Sequence, residues 1–375
     1  MILPGATLGL LGGGQLGRMF TIAARTMGYR VVVLDPDPHS PAGAIADRHL
    51  RAPYLDSAAL TELAGEAAVV TTEFENVPAE ALRQVARRCL VRPSAAAVLT
   101  TQDRISEKRF LASAGTATAP FAAAASPAEA REAWGEIGSP AILKTARLGY
   151  DGKGQAVVHS LPETEAAFER FGAVPCVLER KLDLTLEVSV VLARGDDGTV
   201  VPFPAGENVH VNGILDTTTV PARIPAGLAR DATALAVQVA ERLEYVGVLG
   251  VEMFVTAPGQ LWVNEIAPRP HNTGHYTLDA CATDQFEQQV RAVCGLPLGS
   301  GELLRPAAMA NLLGELWSPR EPSWERALAI PGVSLHLYGK REARPGRKMG
   351  HLTALADTPT LALERVEAAR RALTD

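Results

Sequence analysis

The chain lacks the long apolar segments that membrane proteins require. Its apolar runs have the length of strands, such as Val31 to Leu34, whereas a helix needs about 20 consecutive apolar residues to span a bilayer. Near the N-terminus, Gly12 to Gly14 interrupt the apolar stretch too early for a signal peptide. We therefore expect a cytoplasmic protein with no membrane partner.

An excess of basic charge is also missing. Lys and Arg number 36 against 42 Asp and Glu, which gives a formal net charge of −6. A chain without an overall basic field is not drawn to a polyanion by bulk charge, so the sequence argues against nucleic acid as a partner.

Cysteines are few and unpaired in sequence. Cys89, Cys176, Cys281 and Cys294 are scattered and form no CxxC motif. A chain of this size builds its core without disulfides, so we expect reduced, buried thiols.

Apolar residues, in contrast, are plentiful, at 47% of a 375-residue chain whose length suggests about two or three domains. Strand-like and helical segments alternate through the first hundred residues, over Ala6 to Leu11, Gln15 to Met27, Arg30 to Leu34 and Ala68 to Thr72. This order predicts a doubly wound, Rossmann-like parallel sheet with ligands at the carboxyl ends of its strands.

The first turn of that unit has the form GxGxxG. Gly12 to Gly17 lie between a predicted strand and a predicted helix, and Asp35 ends the next strand. Glycines let backbone amides approach a phosphate at the positive end of a helix. The motif alone is compatible with a dinucleotide, with another phosphate-bearing ligand and with a simple tight turn.

A hairpin later in the chain brings two carboxylates together. Val246 to Val255 and Gln260 to Ile266 are strand-like, and a turn centred on Pro258-Gly259 sets Glu252 opposite Glu265. Facing carboxylates repel unless a cation or proton lies between them, and Mg²⁺ suits such a pair when substrate phosphates complete its coordination. The alternative is a solvated glutamate on an edge strand.

Two neighbouring segments carry cations in unusual settings. Lys144 lies in the apolar strand Ala141 to Thr145, where it either reaches solvent or serves an anionic ligand. The glycine-rich segment Leu148 to Gln155 contains Lys153 and is suited to close over phosphates, or forms an ordinary surface hairpin. Because the chain has no GxxxxGK[ST] motif, these segments describe a nucleotide site without a Walker A loop.

The segment directly after the hairpin concentrates hydrogen-bond donors between prolines. Arg269, His271 and Asn272 stand close together there, and such a set is suited to hold bicarbonate or carboxyphosphate and to move protons. The alternative is a satisfied structural loop.

A basic cluster lies near the C-terminus. It consists of Lys340, Arg341, Arg344, Arg347 and Lys348. In an acidic chain, such a cluster is either a solvated charge run or a clamp for a phosphate.

Six segments, in this order, resemble the ATP-grasp superfamily and, more closely, its 5-(carboxyamino)imidazole ribonucleotide synthase family. They are GGGQLGRM at 12–19, TEFENVP at 72–78, QDRISEK at 102–108, YDGKGQ at 150–155, VNEIAPRPHNTGH at 263–275 and GRKMGH at 346–351. The chain departs from the usual pattern at Lys153, where arginine is more usual, at Thr273, where serine is common, and in a more basic hinge at 179–182.

The resemblance implies an α/β protein with the ATP-grasp fold. A Rossmann-like pre-ATP-grasp domain would span 1–102, the ATP-grasp domain 103–300 and a small C-terminal subdomain 301–375. Within the ATP-grasp domain, a lid would span about 118–176 and a large subdomain about 177–300. The resemblance also implies a homodimer.

The implied activity is that of an ATP-dependent carbon–nitrogen ligase of purine biosynthesis. ATP and bicarbonate would give ADP and carboxyphosphate, and the carbon dioxide released would be captured by the exocyclic amine of 5-aminoimidazole ribonucleotide. ATP would be a co-substrate and Mg²⁺, with Mn²⁺ as a substitute, the metal.

The resemblance also assigns site residues in this sequence. The metal ligands would be Glu252 and Glu265, and the catalytic residues Arg269, His271, Asn272 and Tyr150. ATP would be bound by Arg104, Lys144, Tyr150, Asp151, Gly152, Lys153, Gly154, Glu179, Arg180, Lys181, Leu182, Glu187, His210, Asn264 and Glu265. The ribonucleotide would be bound by Gly14, Gln15, Leu16, Glu73, Asn76, Tyr150, Asp151, His271, Lys340, Arg347 and Lys348, the last three holding its phosphate.

Three alternatives compete with this activity. A formate-dependent glycinamide ribonucleotide transformylase would share the nucleotide site, although Gln15 and the PRPHNTGH segment favour the carboxylating enzyme. A nicotinamide-dependent oxidoreductase would use GxGxxG and leave Glu252, Glu265 and Lys144 without a role. A non-catalytic nucleotide-binding protein would bind ATP without turnover.

Overall fold

The first sheet of the computed structural model, which describes residues 1–149 and 152–374, is parallel and five-stranded. Its strands are β1 (Thr7–Leu11), β2 (Arg30–Leu34), β3 (Arg48–Leu50), β4 (Val69–Thr72) and β5 (Leu90–Val91). They lie in the order β3-β2-β1-β4-β5. The predicted doubly wound sheet is confirmed.

Helices cover both faces of this sheet. The helices of this region are α1 (Gln15–Thr26), α2 (Ser57–Glu66), α3 (Ala79–Ala86), α4 (Ala95–Thr101) and α5 (Arg104–Ser113). Along β2, Val31 and Val33 belong to one apolar cluster, whereas Val32 and Leu34 belong to another. Because successive side chains point to opposite faces, a strand this apolar is buried on both sides.

A second, antiparallel sheet forms the segment that the sequence predicts to be a lid, and we refer to it as the lid. Its strands are β6 (Phe121–Ala124), β7 (Ala141–Thr145), β8 (Gln155–Val158) and β9 (Cys176–Arg180), in the order β6-β9-β7-β8, and its helices are α6 (Pro127–Ile137) and α7 (Leu161–Arg170). The hydroxyls of Ser126 and Ser160 accept hydrogen bonds from the amides of Glu129 and Glu163 and thus cap these helices. Since β9 pairs with β6 and β7, the lid sheet continues past residue 176 to Arg180.

The third sheet is antiparallel and nine-stranded. Its strands are β10 (Leu184–Arg194), β11 (Val200–Pro202), β12 (Gly206–Val211), β13 (Ile214–Val220), β14 (Gly247–Thr256), β15 (Gln260–Ala267), β16 (Ala307–Leu313), β17 (Val333–Leu337) and β18 (Lys348–Leu355). The order is β15-β14-β10-β12-β13-β16-β18-β17, with β11 paired to β10. The C-terminal strands therefore extend the large sheet, because β16 pairs directly with β13.

The remaining helices pack against the large sheet, and one of them also joins it to the first sheet. They are α8 (Ala226–Arg242), α9 (Thr277–Ala280), α10 (Gln285–Cys294), α11 (Trp324–Leu328) and α12 (Pro359–Ala372), with 3-10 turns at Asn272–Gly274 and Gly314–Trp317. Phe286, Val290 and Val293 of α10 share an apolar cluster with α1 and β1. This packing places the large sheet beside the carboxyl ends of the first sheet.

Two expectations about composition can be compared with the structure. Within the described residues, no helix is long and apolar enough to cross a membrane. All four cysteines are free thiols; Cys176, Cys281 and Cys294 are buried as expected, whereas Cys89 is partly exposed.

Candidate active site

The GxGxxG turn is occupied by the chain's own carboxylates. The amides of Gly14 and Gly17 donate to the two carboxylate oxygens of Glu73 at 2.7 and 2.9 Å, and the Gly13 amide donates to Asp35 Oδ2 at 2.7 Å. A Cβ at Gly14 would lie 2.5 Å from Glu73 Oε1, so only glycine permits this approach. These contacts disfavour a phosphate at this turn, because the amides that would bind it donate to Glu73 and Asp35 instead.

The predicted ribonucleotide residues come from opposite ends of the chain. Lys340 Nζ donates to Gln15 Oε1 at 2.5 Å and to the backbone oxygen of Lys348 at 2.6 Å. Arg347 precedes Lys348 and donates to the backbone oxygen of Glu342 at 2.9 Å. The fold thus gathers the C-terminal basic residues at the N-terminus of α1.

Two other predicted ribonucleotide residues are placed differently. Asn76 lies half-buried in the loop after β4, beside the carboxyl end of the first sheet. The Leu16 side chain is 8% exposed and belongs to the core between α1 and the sheet, so only its backbone can reach a ligand.

The two predicted metal ligands face each other. In the β14–β15 pairing, Glu252 lies directly opposite Glu265, as the hairpin pattern predicted. The loop is one residue longer than expected, however, since Thr256 pairs with Gln260. A bulge that leaves Asn264 unpaired restores the register, and the Asn264 side-chain oxygen is buried without a hydrogen-bond partner among the described residues.

The pair is electrostatically asymmetric. Arg104 Nη1 donates to Glu265 Oε2 at 3.1 Å, and this contact lowers the pKa of Glu265 despite the opposing effect of burial. Burial, together with the charge of Glu265, raises the pKa of Glu252. Within the part of the chain that the structure describes, no cluster of three or more His, Cys, Asp or Glu side chains is suited to hold a metal ion.

The donor-rich loop packs against the carboxylate pair. His271 Nε2 lies 3.2 Å from Glu252 Oε1, and its Nδ1 lies 2.9 Å from Thr273 Oγ1. Burial lowers the pKa of His271 well below its usual value, so the imidazole is neutral. Arg269 forms an ion pair with Glu75, and the side chain of Asn272 is buried with no partner among the described residues.

A glutamine that sequence reasoning missed holds this loop in place. Gln285 Oε1 accepts the His271 amide at 2.8 Å, and its Nε2 donates to the His271 carbonyl and to His275 Nδ1, each at 2.9 Å. No local pattern marks Gln285, because its partners are ten or more residues away along the chain.

On the lid side, two lysines share one carboxylate. Lys144 Nζ donates to Glu179 Oε2 at 3.1 Å, and Lys108 Nζ lies 3.3 Å from the same oxygen. Although burial alone would raise it, the two lysines lower the pKa of Glu179 to about 2. Sequence reasoning gave a role to Arg104 in the QDRISEK motif but missed Lys108, which stands one helical turn later.

The predicted adenine hinge, residues 179–182, begins with the buried Glu179 and continues with more accessible side chains. Arg180 and Lys181 are exposed and Leu182 is half-buried. Arg180 donates from Nη2 to the Ile137 carbonyl in α6, and the amides of Arg180 and Lys181 donate to the carbonyls of Pro120 and Pro140.

Glu187 and His210 form a pair on the large sheet. His210 Nδ1 lies 2.9 Å from Glu187 Oε2, across strands β10 and β12. Burial alone would lower the pKa of His210, but the adjacent carboxylates of Glu187 and Glu252 raise it.

The glycine-rich loop lies between the lid and the large sheet. The carbonyl of Gly149 accepts a bond from Arg104 at 3.3 Å, and the carbonyl of Gly154 accepts the Thr145 amide at 2.8 Å. A Cβ at Gly152 would lie 3.2 Å from the Asn212 carbonyl of the large sheet, and Lys153 is exposed. The predicted Tyr150 and Asp151 lie outside the described residues.

Comparison with known proteins matches this architecture along the chain. A model of the ribonucleotide synthetase preATP-grasp domain matches residues 5–102, one of the ATP-grasp domain matches 109–286, and one of the phosphoribosylaminoimidazole carboxylase C-terminal domain matches 307–365.

Whole-chain relatives agree with these matches. The N5-carboxyaminoimidazole ribonucleotide synthases of Brucella melitensis and Bacillus subtilis are 46% and 44% identical to the chain; both matches cover 94% of the chain, and 97% and 92% of the relatives. A solved structure of N5-carboxyaminoimidazole synthase from Aspergillus clavatus, in complex with ADP and 5-aminoimidazole ribonucleotide, has a TM-score of 0.90 at 33% identity and 98% coverage of each chain. The chain belongs to the N5-carboxyaminoimidazole ribonucleotide synthase family of ATP-grasp proteins.

Proposed function

We propose that the chain catalyses the ATP-dependent carboxylation of 5-aminoimidazole ribonucleotide in purine biosynthesis. The observation that carries this proposal is that the donor-rich loop contacts two regions: His271 lies 3.2 Å from Glu252 of the carboxylate pair, and Arg269 forms an ion pair with Glu75 after β4 of the first sheet. A nucleotide half contains Lys144, Arg104 and Glu265, and an acceptor half contains Gln15 and Lys340. The bound ADP and ribonucleotide named for the Aspergillus relative support the same division.

The nucleotide would lie between the lid and the large sheet. Arg104, Lys144 and the segment 149–154, including Tyr150, Asp151 and Lys153, would contact the phosphates. The backbone of 179–182 would contact the adenine, and Glu187 with His210 the ribose. Two observations support this location for the nucleotide. The lid loop approaches the large sheet at Asn212, and Arg104 donates hydrogen bonds to both the Gly149 carbonyl and Glu265.

The residues present fit a divalent metal. Glu252 and Glu265 offer facing carboxylates, and Asn264, the residue before Glu265, has a buried side-chain oxygen without a partner among the described residues. Hard oxygen ligands and a low ligand count from the protein suit Mg²⁺, with Mn²⁺ as a substitute. When bound, such an ion would neutralise the charge of the ATP phosphates.

The reaction would take place at the donor-rich loop. A bicarbonate oxygen would attack the γ-phosphorus of ATP as the bond to ADP breaks, giving carboxyphosphate. Cleavage of its C–O bond would release carbon dioxide and phosphate, and the exocyclic amine would bond to the carbon and lose a proton. Arg269, Asn272 and Tyr150 would hold the anionic intermediate, and His271 would contact it as a neutral hydrogen-bonding group, because burial lowers its pKa and makes it a weak base. The phosphate released in the same step would accept the proton of the amine.

The acceptor would lie against the N-terminus of α1. Lys340, Arg347 and Lys348 would bind its phosphate, and Gln15, Glu73 and Asn76 its remaining polar groups. Because the carboxylate of Glu73 occupies the GxGxxG amides, this turn would meet a hydrogen-bond donor of the ligand rather than its phosphate.

The competing activities are less well supported. A nicotinamide cofactor would have to displace both Glu73 and Asp35 from the turn. The formate-dependent transformylase is disfavoured by the relatives, which share the name of the carboxylating enzyme.

Isotope transfer tests the proposed chemistry. Carbon-labelled bicarbonate with Mg-ATP and 5-aminoimidazole ribonucleotide should give a labelled, acid-labile carbamate, whereas labelled formate with glycinamide ribonucleotide should give no product. With ¹⁸O-bicarbonate, one label per turnover should appear in inorganic phosphate, because the attacking oxygen stays on phosphorus. Phosphate without label would exclude carboxyphosphate, and a formylated product would establish the alternative.

We further propose a cytoplasmic homodimer. The family resemblance supports this state. Light scattering of the purified protein should give twice the chain mass of 39.7 kDa, and the mass of a single chain would contradict it.

A further inference from the structure

The ammonium group of Lys108 ties both connections of the lid to the large sheet. Its Nζ donates to Thr118 Oγ1 at 2.9 Å and to the Asn264 carbonyl at 3.0 Å, and lies 3.3 Å from Glu179 Oε2. The chain enters the lid just after Thr118 and leaves it just after Glu179. An ammonium group has three N–H donors, so these three acceptors equal the number of hydrogen bonds that it can donate.

Lys144 uses the same carboxylate oxygen. Its Nζ donates to Glu179 Oε2 at 3.1 Å, and the relative exposures of Lys108, Glu179 and Lys144 are 1%, 2% and 7%. A carboxylate this deeply buried is unfavourable without a cation beside it. Because both lysines contact the same carboxylate, Lys108 leaves Glu179 with a cation beside it when Lys144 moves away.

The two lysines differ in the part of the molecule that carries them. Lys144 belongs to β7 of the lid, and so does its partner Glu179 in β9. Lys108 belongs to α5, outside the lid, and its bond to the Asn264 carbonyl fixes it to β15 beside Glu265. Lys108 can therefore stay in place while Lys144 changes partner.

We propose that Lys108 is a positioning residue for nucleotide binding, which keeps Glu179 neutralised and so frees Lys144 to move from that carboxylate to the ATP phosphates. This inference rests on the proposed function, in which Lys144 contacts the phosphates. Without Lys108, Lys144 is the remaining lysine on a buried carboxylate and is held there, so the nucleotide loses its cation. A residue that served folding alone would instead change stability without a selective effect on nucleotide affinity.

Removal of the carboxylate together with Lys108 separates these two roles. Lys108→Met leaves Glu179 dependent on Lys144. In the double variant Lys108→Met/Glu179→Gln, one positive and one negative charge are lost together, so the buried site stays balanced and Lys144 is free. Arg109→Met is the matched control, because Arg109 is the next residue of α5 and is exposed.

The experiment is calorimetric titration of each full-length variant with ADP and with a non-hydrolysable ATP analogue in the presence of Mg²⁺. For Lys108→Met we expect the Kd to rise about tenfold or more. The reference for the double variant is Glu179→Gln alone, titrated in the same way. We expect the two Kd values to agree within about threefold, because Lys108 then has no buried carboxylate to neutralise. Arg109→Met should bind as wild type does.

An unchanged Kd in Lys108→Met would overturn the inference, and so would an equally large effect of Lys108→Met in the Glu179→Gln background. If Lys108→Met does not fold, the comparison of the charge-balanced double variant with Glu179→Gln decides the question: equal affinity supports the inference, and a Kd raised about tenfold overturns it. Wild-type protein that bound no nucleotide would instead refute the proposed function.

Discussion

Glu252 and Glu265 face each other across the β14–β15 hairpin because Asn264 is an extra residue in β15. Without that bulge, the register set by the three-residue loop would place Glu252 opposite Asn264, and the carboxylates would not meet. The bulge also directs the Asn264 carbonyl to Lys108. One inserted residue therefore serves both the carboxylate pair and the base of the lid.

The carboxylate pair gives the first prediction. Glu265→Gln should lower ADP release by about 100-fold or more. The substitution removes the charge of a carboxylate that is both a proposed metal ligand and the ion-pair partner of Arg104. Steady-state ADP release measures the effect, and circular dichroism should show an unchanged fold. Glu241→Gln, an exposed substitution in α8, is the control; near-normal turnover in Glu265→Gln would refute the metal assignment.

Local patterns made this pairing predictable. Strand alternation and a turn centre set the approximate register of a hairpin, and a serine followed by proline and glutamate sets a helix start. Both features depend on neighbours in sequence, and the structure confirms the facing glutamates and both serine caps. No sequence pattern indicated the bulge. The predicted turn was therefore one residue too short, although the predicted pairing of the two glutamates was correct.

Long-range contacts could not be predicted in the same way. The carboxylate of Glu73 reaches Gly14 from 59 residues away, and a glycine-rich turn looks the same whether its anion belongs to a ligand or to the chain. Similarly, Lys108 in a charged helix segment resembles a solvated residue until β9 brings Glu179 to it. The pairing of β16 with β13 also depends on packing rather than on local sequence.

The acceptor half gives the second prediction. Lys340→Met should raise the KM for 5-aminoimidazole ribonucleotide about tenfold or more while the KM for ATP stays near its wild-type value, because Lys340 links Gln15 to the basic C-terminal segment. Initial rates with each substrate varied in turn provide the measurement. Arg344→Met, which removes an exposed cation paired with Glu342, should leave both values unchanged. Equal KM increases for both substrates would contradict the division into two halves.

Gln285 gives the third prediction. Gln285→Leu should reduce both the stability and kcat, since it releases the loop that carries His271, and the loss of stability should be about 2–3 kcal/mol. Gln288→Leu is a matched control, because Gln288 is equally buried in α10 but bonds to Gly299. Denaturant unfolding should show that both variants lose stability, and turnover should fall only in Gln285→Leu. A normal kcat in Gln285→Leu would show that the loop needs no such support.

The pH dependence of stability gives the fourth prediction. Because the pKa of Glu179 is about 2 in the fold, below the ordinary glutamate value, its ionised form stabilises the protein at neutral pH. This contribution is lost as the pH falls from about 4.5 toward 2. Wild type should therefore exceed Glu179→Gln in unfolding free energy by up to about 3 kcal/mol near neutral pH, and the difference should shrink in acid. Urea unfolding at several pH values measures it; a difference independent of pH would contradict the lysine–carboxylate cluster.

The central claim is that the chain couples ATP cleavage to carboxylation of 5-aminoimidazole ribonucleotide. The most direct measurement is the rate of ADP release with Mg-ATP, with bicarbonate and the ribonucleotide supplied separately and together. The account predicts that the ribonucleotide strongly stimulates release and that the stimulated rate rises with bicarbonate until saturation. A rate of ADP release that does not change when the ribonucleotide is added would contradict this claim. So would a rate that is equally high with glycinamide ribonucleotide and formate.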